Sequence, residues 1–336
     1  MSTGERFLVT GALGFVGAWT VRALVREGVP VVAFDLGTDR RRLASIMTED
    51  EIANVVFEAG DITDSTTVDR VIDANDITNV VHLAALQVPF CRGDPPLGAR
   101  VNVVGTINVF EAVRRRRDVM APVVYTSSIA VFAGDDTDPA TGRLLATATG
   151  HPVNHYGVFK MANEGNARVY WLDNGVASVG VRPMTVYGVG RDQGMTSGPT
   201  KAIAAAVLGQ PYRVSFRGPT LYQYAEDVAR TLIAASRAGL DGARVFNLAG
   251  AVADDRDLVD AIRAVVPGAE DLITFDSATL PFPSEIDHDG LDAIGPVLVT
   301  PFAEGVRSTA EIFRDLASDG RLRPEDHGLE PLVAAH

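Results

Sequence analysis

The sequence predicts an α/β protein built on a doubly wound parallel sheet, with a smaller C-terminal cap. Three observations carry this expectation. Through residue 182, short apolar runs alternate with helical patterns, the order that leaves strands parallel and covers both sheet faces with helices. Three glycines stand between the first apolar run and the first helical pattern. Beyond Arg182 the alternation loosens into shorter elements, loops and proline-rich passages.

The first strand is the run Phe7, Leu8 and Val9, which breaks at Gly11; a helical pattern (Val16, Trp19, Thr20, Ala23, Leu24) follows over about residues 16–27. Between them the spacing is Gly11-x-x-Gly14-x-x-Gly17. Gly11 permits the tight turn, Gly14 lets the backbone approach a pyrophosphate, and Gly17 lets helix and strand pack closely. The free N–H groups of the helix start and its dipole then favour an anion. A second strand over residues 29–34 ends at Asp35. A carboxylate there accepts hydrogen bonds from ribose hydroxyls and repels a 2′-phosphate, which favours NAD over NADP. Arg40, Arg41 and Arg42 argue the other way, but lie further along and read as solvated.

A third strand (55–59) runs into Asp61 and Ile62; Asp61 either holds the adenine amino group or caps the helix over 66–75. The fourth strand (79–85) ends in Ala84 and Ala85, small enough to pass close to a cofactor. A long helix (99–117) closes on Arg114–Arg117, read as favourable charge at a helix carboxyl end rather than an anion site. The fifth strand (123–126) leads into Ser127 and Ser128, and residues 134–150 read as a polar surface excursion whose Asp135, Asp136 and Asp138 form a solvated turn. A helix over 155–172 and a sixth strand over 177–182 complete the alternation. Then come a long polar loop (188–200), helices over 201–208, 226–238, 257–265 and 303–316, and strands over 212–216 and 244–248. The expected division is a Rossmann-like cofactor domain of residues 1–182 plus about 225–250, and a substrate-binding part of about 183–224 plus 251–336.

Composition narrows the function class. A net charge of −13 argues against nucleic acid or an anionic membrane surface as partner. No apolar run approaches the roughly 20 residues of a membrane span. The amino terminus has no secretory pattern, so a cytoplasmic location is expected. The single cysteine, Cys91, excludes an internal disulfide and disfavours a thiolate metal site. His151 and His155 have ligand spacing, but Pro152 intervenes and no partner is evident, so no metal is expected. Asp287-His288-Asp289 reads as a polar turn.

Chemistry concentrates at Tyr156 and Lys160, four residues apart on one helix face. A free phenol titrates near ~10, and bringing it to about 7 takes ~4 kcal/mol, which the Lys160 cation and a positively charged nicotinamide together can supply. Tyr156 would then exchange the hydroxyl proton of a substrate while hydride moves to or from a nicotinamide, whose ribose Lys160 also holds. Ser128 orients the substrate oxygen, with Ser127 or Thr126 as competitors for that role.

With these motifs in this order, the sequence resembles the extended short-chain dehydrogenase/reductase family, the NAD-dependent epimerase/dehydratase group, over nearly its whole length. The stretch Val101-Asn102-Val103-Val104-Gly105-Thr106-Ile107-Asn108-Val109 looks like that family's fourth-helix signature, and the run from Val181 to Gly188 resembles the segment after its sixth strand. The resemblance implies NAD contacts from the glycine loop (Gly11, Gly14, Phe15, Val16, Gly17), from Asp35, Asp61 and Ile62, and from Leu83, Ala84 and Ala85. It adds Asn102, Tyr156, Lys160 and Pro183, and makes Ser128, Tyr156 and Lys160 the catalytic set. It also implies a homodimer formed by packing the helices over 99–117 and 155–172 against a second copy.

The departures matter as much. Family dehydratases carry an Asp-Glu pair where Ile129 and Ala130 stand, so dehydration is not expected. Nucleotide-sugar members carry an Asn where Thr185 stands and an Arg where Thr220 stands, both to hold the diphosphate. Arg191 or Arg217 remain as substitutes. The expected activity is therefore NAD-dependent hydride transfer at a secondary alcohol or ketone of a small polar compound, such as a sugar or sugar acid. The substrate pocket is assigned to Gln87, Ser128, Thr185, Gln193, Thr196 and Ser197. The alternatives are an NAD-retaining sugar or nucleotide-sugar epimerase and a cofactor-sensing protein without turnover.

Overall fold

A computed structural model describes residues 4–138, 140, 143–144 and 148–329. The first three residues, parts of the expected 134–150 excursion and residues 330–336 of the expected substrate-binding part lie outside the described residues. The strands are β1 (Phe7–Thr10), β2 (Val31–Asp35), β3 (Val55–Ala59), β4 (Asn79–His82), β5 (Val123–Thr126), β6 (Ser178–Arg182), β7 (Thr185–Tyr187), β8 (Tyr212–Val214), β9 (Thr220–Tyr224), β10 (Ala243–Asn247), β11 (Ala251–Ala253) and β12 (Ile273–Phe275). Seven of them form one parallel sheet in the order β10-β6-β5-β4-β1-β2-β3. The order reverses direction between β1 and β4, so their carboxyl ends open a crevice, the usual ligand position in such sheets. Thr10 at the end of β1 pairs with both Phe34 and His82.

The helices are α1 (Phe15–Arg26), α2 (Arg41–Ala44), α3 (Glu49–Ala53), α4 (Ser65–Ala74), α5 (Val88–Gly93), α6 (Pro95–Ala99), α7 (Gly105–Arg114), α8 (His155–Asn174), α9 (Gly198–Val207), α10 (Ala225–Arg237), α11 (Asp255–Val265) and α12 (Phe302–Ser318). Helix α10 buries Val228, Ala229, Leu232 and Ile233, a three-and-four spacing that lays one apolar stripe on the sheet beside α1. Helices α4, α7 and α8 cover the other face over Val68, Ile72, Val109, Phe110 and Ala167. Local chemistry sets several boundaries. The carboxylate of Asp64 caps α4 by accepting the Thr66 N–H at 3.0 Å, and Gly175, at φ +67°, ends α8.

Three expectations are corrected here. The helix expected over 99–117 is interrupted: a wide π-turn, Arg100–Val104, separates α6 from α7. The loop expected over 188–200 is compact and mostly buried, and α9 already begins at Gly198. Positive φ at Gly188, Gly190 and Gly194 lets this stretch fold back, and the Trp19 indole N–H pins it by donating to the Val189 carbonyl at 2.9 Å. The stretch beyond Arg182 holds two small sheets, β11-β9-β7 and β12-β8, more strand than its pattern suggested. Its Tyr187, Ile203, Tyr222 and Phe313 belong to the same buried cluster as Phe7, Trp19 and Val124, so one core runs beneath both expected parts.

Candidate active site

The glycine loop builds one end of the crevice. Gly11 has φ +66°, and a Cβ there would lie 2.7 Å from the Ala84 nitrogen; one on Gly17 would lie 2.2 Å from the Gly11 carbonyl oxygen. Loop, β4 end and α1 therefore touch as backbone on backbone. Gly14 opens α1 with no side-chain cap, so the first N–H groups of the helix stay available to a ligand. Asp35 braces this loop: one carboxylate oxygen accepts the Leu13 N–H at 2.9 Å and the other the Gly37 N–H at 3.3 Å. One lobe of the crevice runs from Asp35 past Asp61, Ile62 and Ala84 to the glycines. A second lobe continues from the same glycines to Ser128, Tyr156 and Lys160. A glycine cradle that no Cβ could enter, an uncapped helix start and a carboxylate at the end of β2 together fit NAD.

Two of the arginines that argued for NADP are tied to protein carboxylates. Arg42 grips Asp192 through two hydrogen bonds of 2.7 and 2.9 Å and donates to the Leu13 and Gly190 carbonyls. Arg41 pairs with Asp39, Asp192 and Asp326, and the Arg40 guanidinium lies 3.5 Å over the Phe57 ring. Arg40 is exposed, as expected, but Arg41 and Arg42 are half-buried, and Arg42 lines the Asp35 lobe while tied to Asp192. Arg114–Arg117 are likewise drawn into pairs, chiefly with Glu111, Asp69 and Asp73.

Beneath the cradle His82 is fully buried between the hydroxyls of Thr10 (2.7 Å) and Thr106 (2.9 Å). Burial first, then the Lys160 charge, pushes its pKa down to about 3. The unfolded chain binds a proton here below about pH 6.5 while the folded chain refuses it, so this group lowers stability as pH falls from about 6.5 to about 3. His82→Gln should therefore lose about 2 kcal/mol less stability than the wild type between pH 7 and pH 5 in denaturant titrations. Equal losses in the two proteins would show that the imidazole titrates freely.

The Tyr156 end of the crevice depends on how α8 starts. The Asn154 carboxamide oxygen caps it, accepting the Gly157 N–H at 2.9 Å. A Cβ on Gly157 would sit 2.1 Å from the Ala130 carbonyl oxygen, so the helix start is pressed onto the turn that holds Ser128. There the Ser128 oxygen accepts the Ala130 N–H at 3.1 Å, which leaves its own proton to donate, and it lines the same lobe as the Tyr156 phenol. One turn on, the Lys160 ammonium donates to the Thr126 carbonyl at 2.6 Å, 5.6 Å from the Tyr156 ring centre; burial lowers its pKa to about 8. Burial raises the Tyr156 pKa, opposed by the Ser128 hydroxyl and then by the Arg191 charge. Of the two cations expected beside the phenol, Lys160 lies against its ring, and Arg191 adds a positive charge the sequence did not assign there.

Other assignments divide. Gln87 and Thr196 line the Tyr156 lobe, as do Phe15, Val16, Ala85 and Pro183. Thr185 does not; it is buried in β7 with its hydroxyl 3.4 Å from that of Thr220. Gln193 is exposed, and the Ser197 hydroxyl closes a turn onto the Gly194 carbonyl at 2.8 Å. Asn102 lies behind the wall, clamping the Leu86 backbone with hydrogen bonds of 2.7 and 2.9 Å. The Ser127 hydroxyl is committed to Glu164, itself gripped by Arg182 at 2.8 and 2.6 Å, which leaves Ser128 to face the phenol. Asp136 is buried rather than solvated, accepting the Ala133, Gly150 and His151 N–H groups. Among the described residues no three His, Cys, Asp or Glu side chains converge as a metal site would require. The sequence reading missed Glu164, although it falls on the Tyr156–Lys160 face one turn further along, and gave Arg191 no place beside the phenol.

The pattern of the NAD dependent epimerase/dehydratase family matches residues 7–249. The chain is 30% identical over 324 residues to UDP-glucose 4-epimerase of Mycolicibacterium smegmatis (strain ATCC 700084 / mc(2)155), spanning 92% of this chain and 99% of that protein. A solved structure of the Thermus thermophilus UDP-glucose 4-epimerase in complex with NAD is similar with a TM-score of 0.73 and 27% identity, covering 92% of this chain and 99% of that one. A partial consensus L-threonine 3-dehydrogenase has the same fold, with a TM-score of 0.81 and 23% identity over 93% of this chain and all of that one.

Proposed function

The chain belongs to the NAD-dependent epimerase/dehydratase family, and on that premise we propose that it is a dehydrogenase of a small polar secondary alcohol. The observation that carries this reading is the meeting of Ser128, Tyr156 and Lys160 in the lobe that continues the glycine crevice. NAD, when bound, supplies the hydride acceptor. Ser128 donates to the carbinol oxygen and holds it against Tyr156, and Tyr156 takes the hydroxyl proton. Lys160, anchored on Thr126, places its charge behind the phenol and reaches toward the cofactor ribose. In this reading residues 1–182 plus about 225–250 hold the cofactor, and about 183–224 plus 251–336 shape the substrate lobe.

Dehydrogenation is preferred over epimerisation because Thr185 and Thr220, which stand where the resemblance puts diphosphate anchors, are buried against each other. Neither offers a charge to a nucleotide. The second reading, an NAD-retaining epimerase, draws on the full-length similarity to a UDP-glucose 4-epimerase. One assay separates them. A dehydrogenase accumulates reduced cofactor from a single substrate and NAD, whereas an epimerase converts UDP-glucose with no net change in cofactor absorbance.

A homodimer is part of the same proposal. Helix α8 exposes Val158, Val169 and Leu172 along one stripe, beside exposed Leu97 and Val104 on the neighbouring helical segment. Such a face is large and apolar for a free surface. Val169→Glu should convert a dimer to a monomer in light scattering, and a wild-type protein that is already monomeric would refute the assignment. No described helix is long and apolar enough to cross a membrane.

A further inference from the structure

We propose that the substrate carries a carboxylate and that Arg191 receives it beside the Tyr156–Ser128 pair. The inference rests on the dehydrogenase reading and deepens it by naming the substrate class.

Arg191 reaches the lobe because Gly188 and Gly190, both at positive φ, turn the chain back over the glycine loop. Its guanidinium lies 5.7 Å from the Phe15 ring centre, and one terminal nitrogen donates to the Thr196 hydroxyl at 3.1 Å. Its Nε is buried and has no hydrogen-bond partner among the described residues. The adjacent carboxylate, Asp192, is turned away and saturated by Arg42 and Arg41. Arg182, at the end of β6, is matched by Glu164 through two hydrogen bonds. Arg191 is thus a half-buried cation with no carboxylate paired to it among the described residues, facing the phenol that handles the proton. An unmatched charge in a half-buried site is costly unless a ligand brings the counter-charge.

Three ligands could bring it: the cofactor pyrophosphate, a nucleotide diphosphate or a substrate carboxylate. The cofactor pyrophosphate is already served by the open N–H groups of α1, whereas the Arg191 charge acts at the Tyr156 hydroxyl. The planar guanidinium fork matches a carboxylate with two parallel hydrogen bonds. The lobe's Thr196 hydroxyl and Gln87 carboxamide offer further polar contacts to a short, hydrated molecule. The substrate class is therefore a hydroxy carboxylate. It loses hydride from the carbinol carbon to NAD and a proton through Tyr156, leaving a keto carboxylate, reduced cofactor and one proton.

The test is a panel assayed with NAD: 3-hydroxybutyrate, L-threonine and D-gluconate against methyl 3-hydroxybutyrate, threoninamide and sorbitol, with wild type, Arg191→Gln and Arg191→Lys. Turnover confined to carboxylates is expected. Arg191→Gln should raise KM ~30-fold or more with the NAD dissociation constant unchanged, and Arg191→Lys should recover part of the loss. Equal turnover of the ester, amide or polyol would overturn the carboxylate assignment while leaving the dehydrogenase standing. Loss of NAD affinity in Arg191→Gln with KM unchanged would assign the guanidinium to the pyrophosphate instead. Competitive inhibition by UDP that disappears in the same variant would assign it to a nucleotide diphosphate. Reduction of NAD by no member of the panel would overturn both readings.

Discussion

Tyr156→Phe should lower kcat at least ~100-fold while NAD binds as in the wild type. The substitution keeps the ring and its packing at the start of α8 and removes only the hydroxyl that shares the lobe with Ser128. A positioned proton acceptor is worth ~10²–10⁴ in rate. The Ser127 hydroxyl is committed to Glu164, and the Lys160 ammonium donates to the Thr126 carbonyl. The buried phenol has a raised pKa, so proton release depends on the positive charge gathered around it, including that of Arg191. Steady-state rates beside cofactor binding by fluorescence quenching decide the matter. A variant with rates within tenfold of wild type would remove Tyr156 from the chemistry.

Gly17→Ala should cost at least ~10-fold in NAD affinity and lower the melting temperature by several degrees, about 2–4 °C per kcal/mol. The added methyl would lie 2.2 Å from the Gly11 carbonyl oxygen and 2.8 Å from the Ala12 Cα. Both obstacles are backbone, so no side chain can rotate out of the way and α1 must move off the loop. Overpacking of this kind costs ~1–3 kcal/mol, and it displaces the N–H groups that meet the pyrophosphate. Gly93→Ala is the control, since nothing lies within 4 Å of a Cβ there. Calorimetric titration with NAD and a thermal melt test the pair together. Wild-type values in Gly17→Ala would mean that the loop and α1 are not in backbone contact.

Much of this was legible before any coordinates. The parallel strands β1 to β6 fall where apolar runs alternate with helical patterns, and β3 and β5 match the expected bounds. The glycine spacing and Asp35 marked one lobe; the four-residue step from Tyr156 to Lys160 marked the other. What escaped shares one cause. The 188–200 stretch looks like a polar loop because its partners, Trp19 and Arg42, lie about 150 or more residues away in the chain. Asp136 looks solvated because the backbone N–H groups that bury it come partly from Gly150 and His151.

The sequence alone determined the class of fold, the phosphate cradle and the tyrosine–lysine pair, because each is written in spacings of two to four residues that fix which side chains share a turn or face. Tertiary structure alone decided that Thr185 and Thr220 close on each other and that Asp192 turns to Arg42. It also decided that Arg191 is left facing the phenol without a carboxylate of its own among the described residues. Those outcomes depend on where glycine-hinged segments come to rest against a shared core, and no local period encodes the meeting of groups that far apart in the chain.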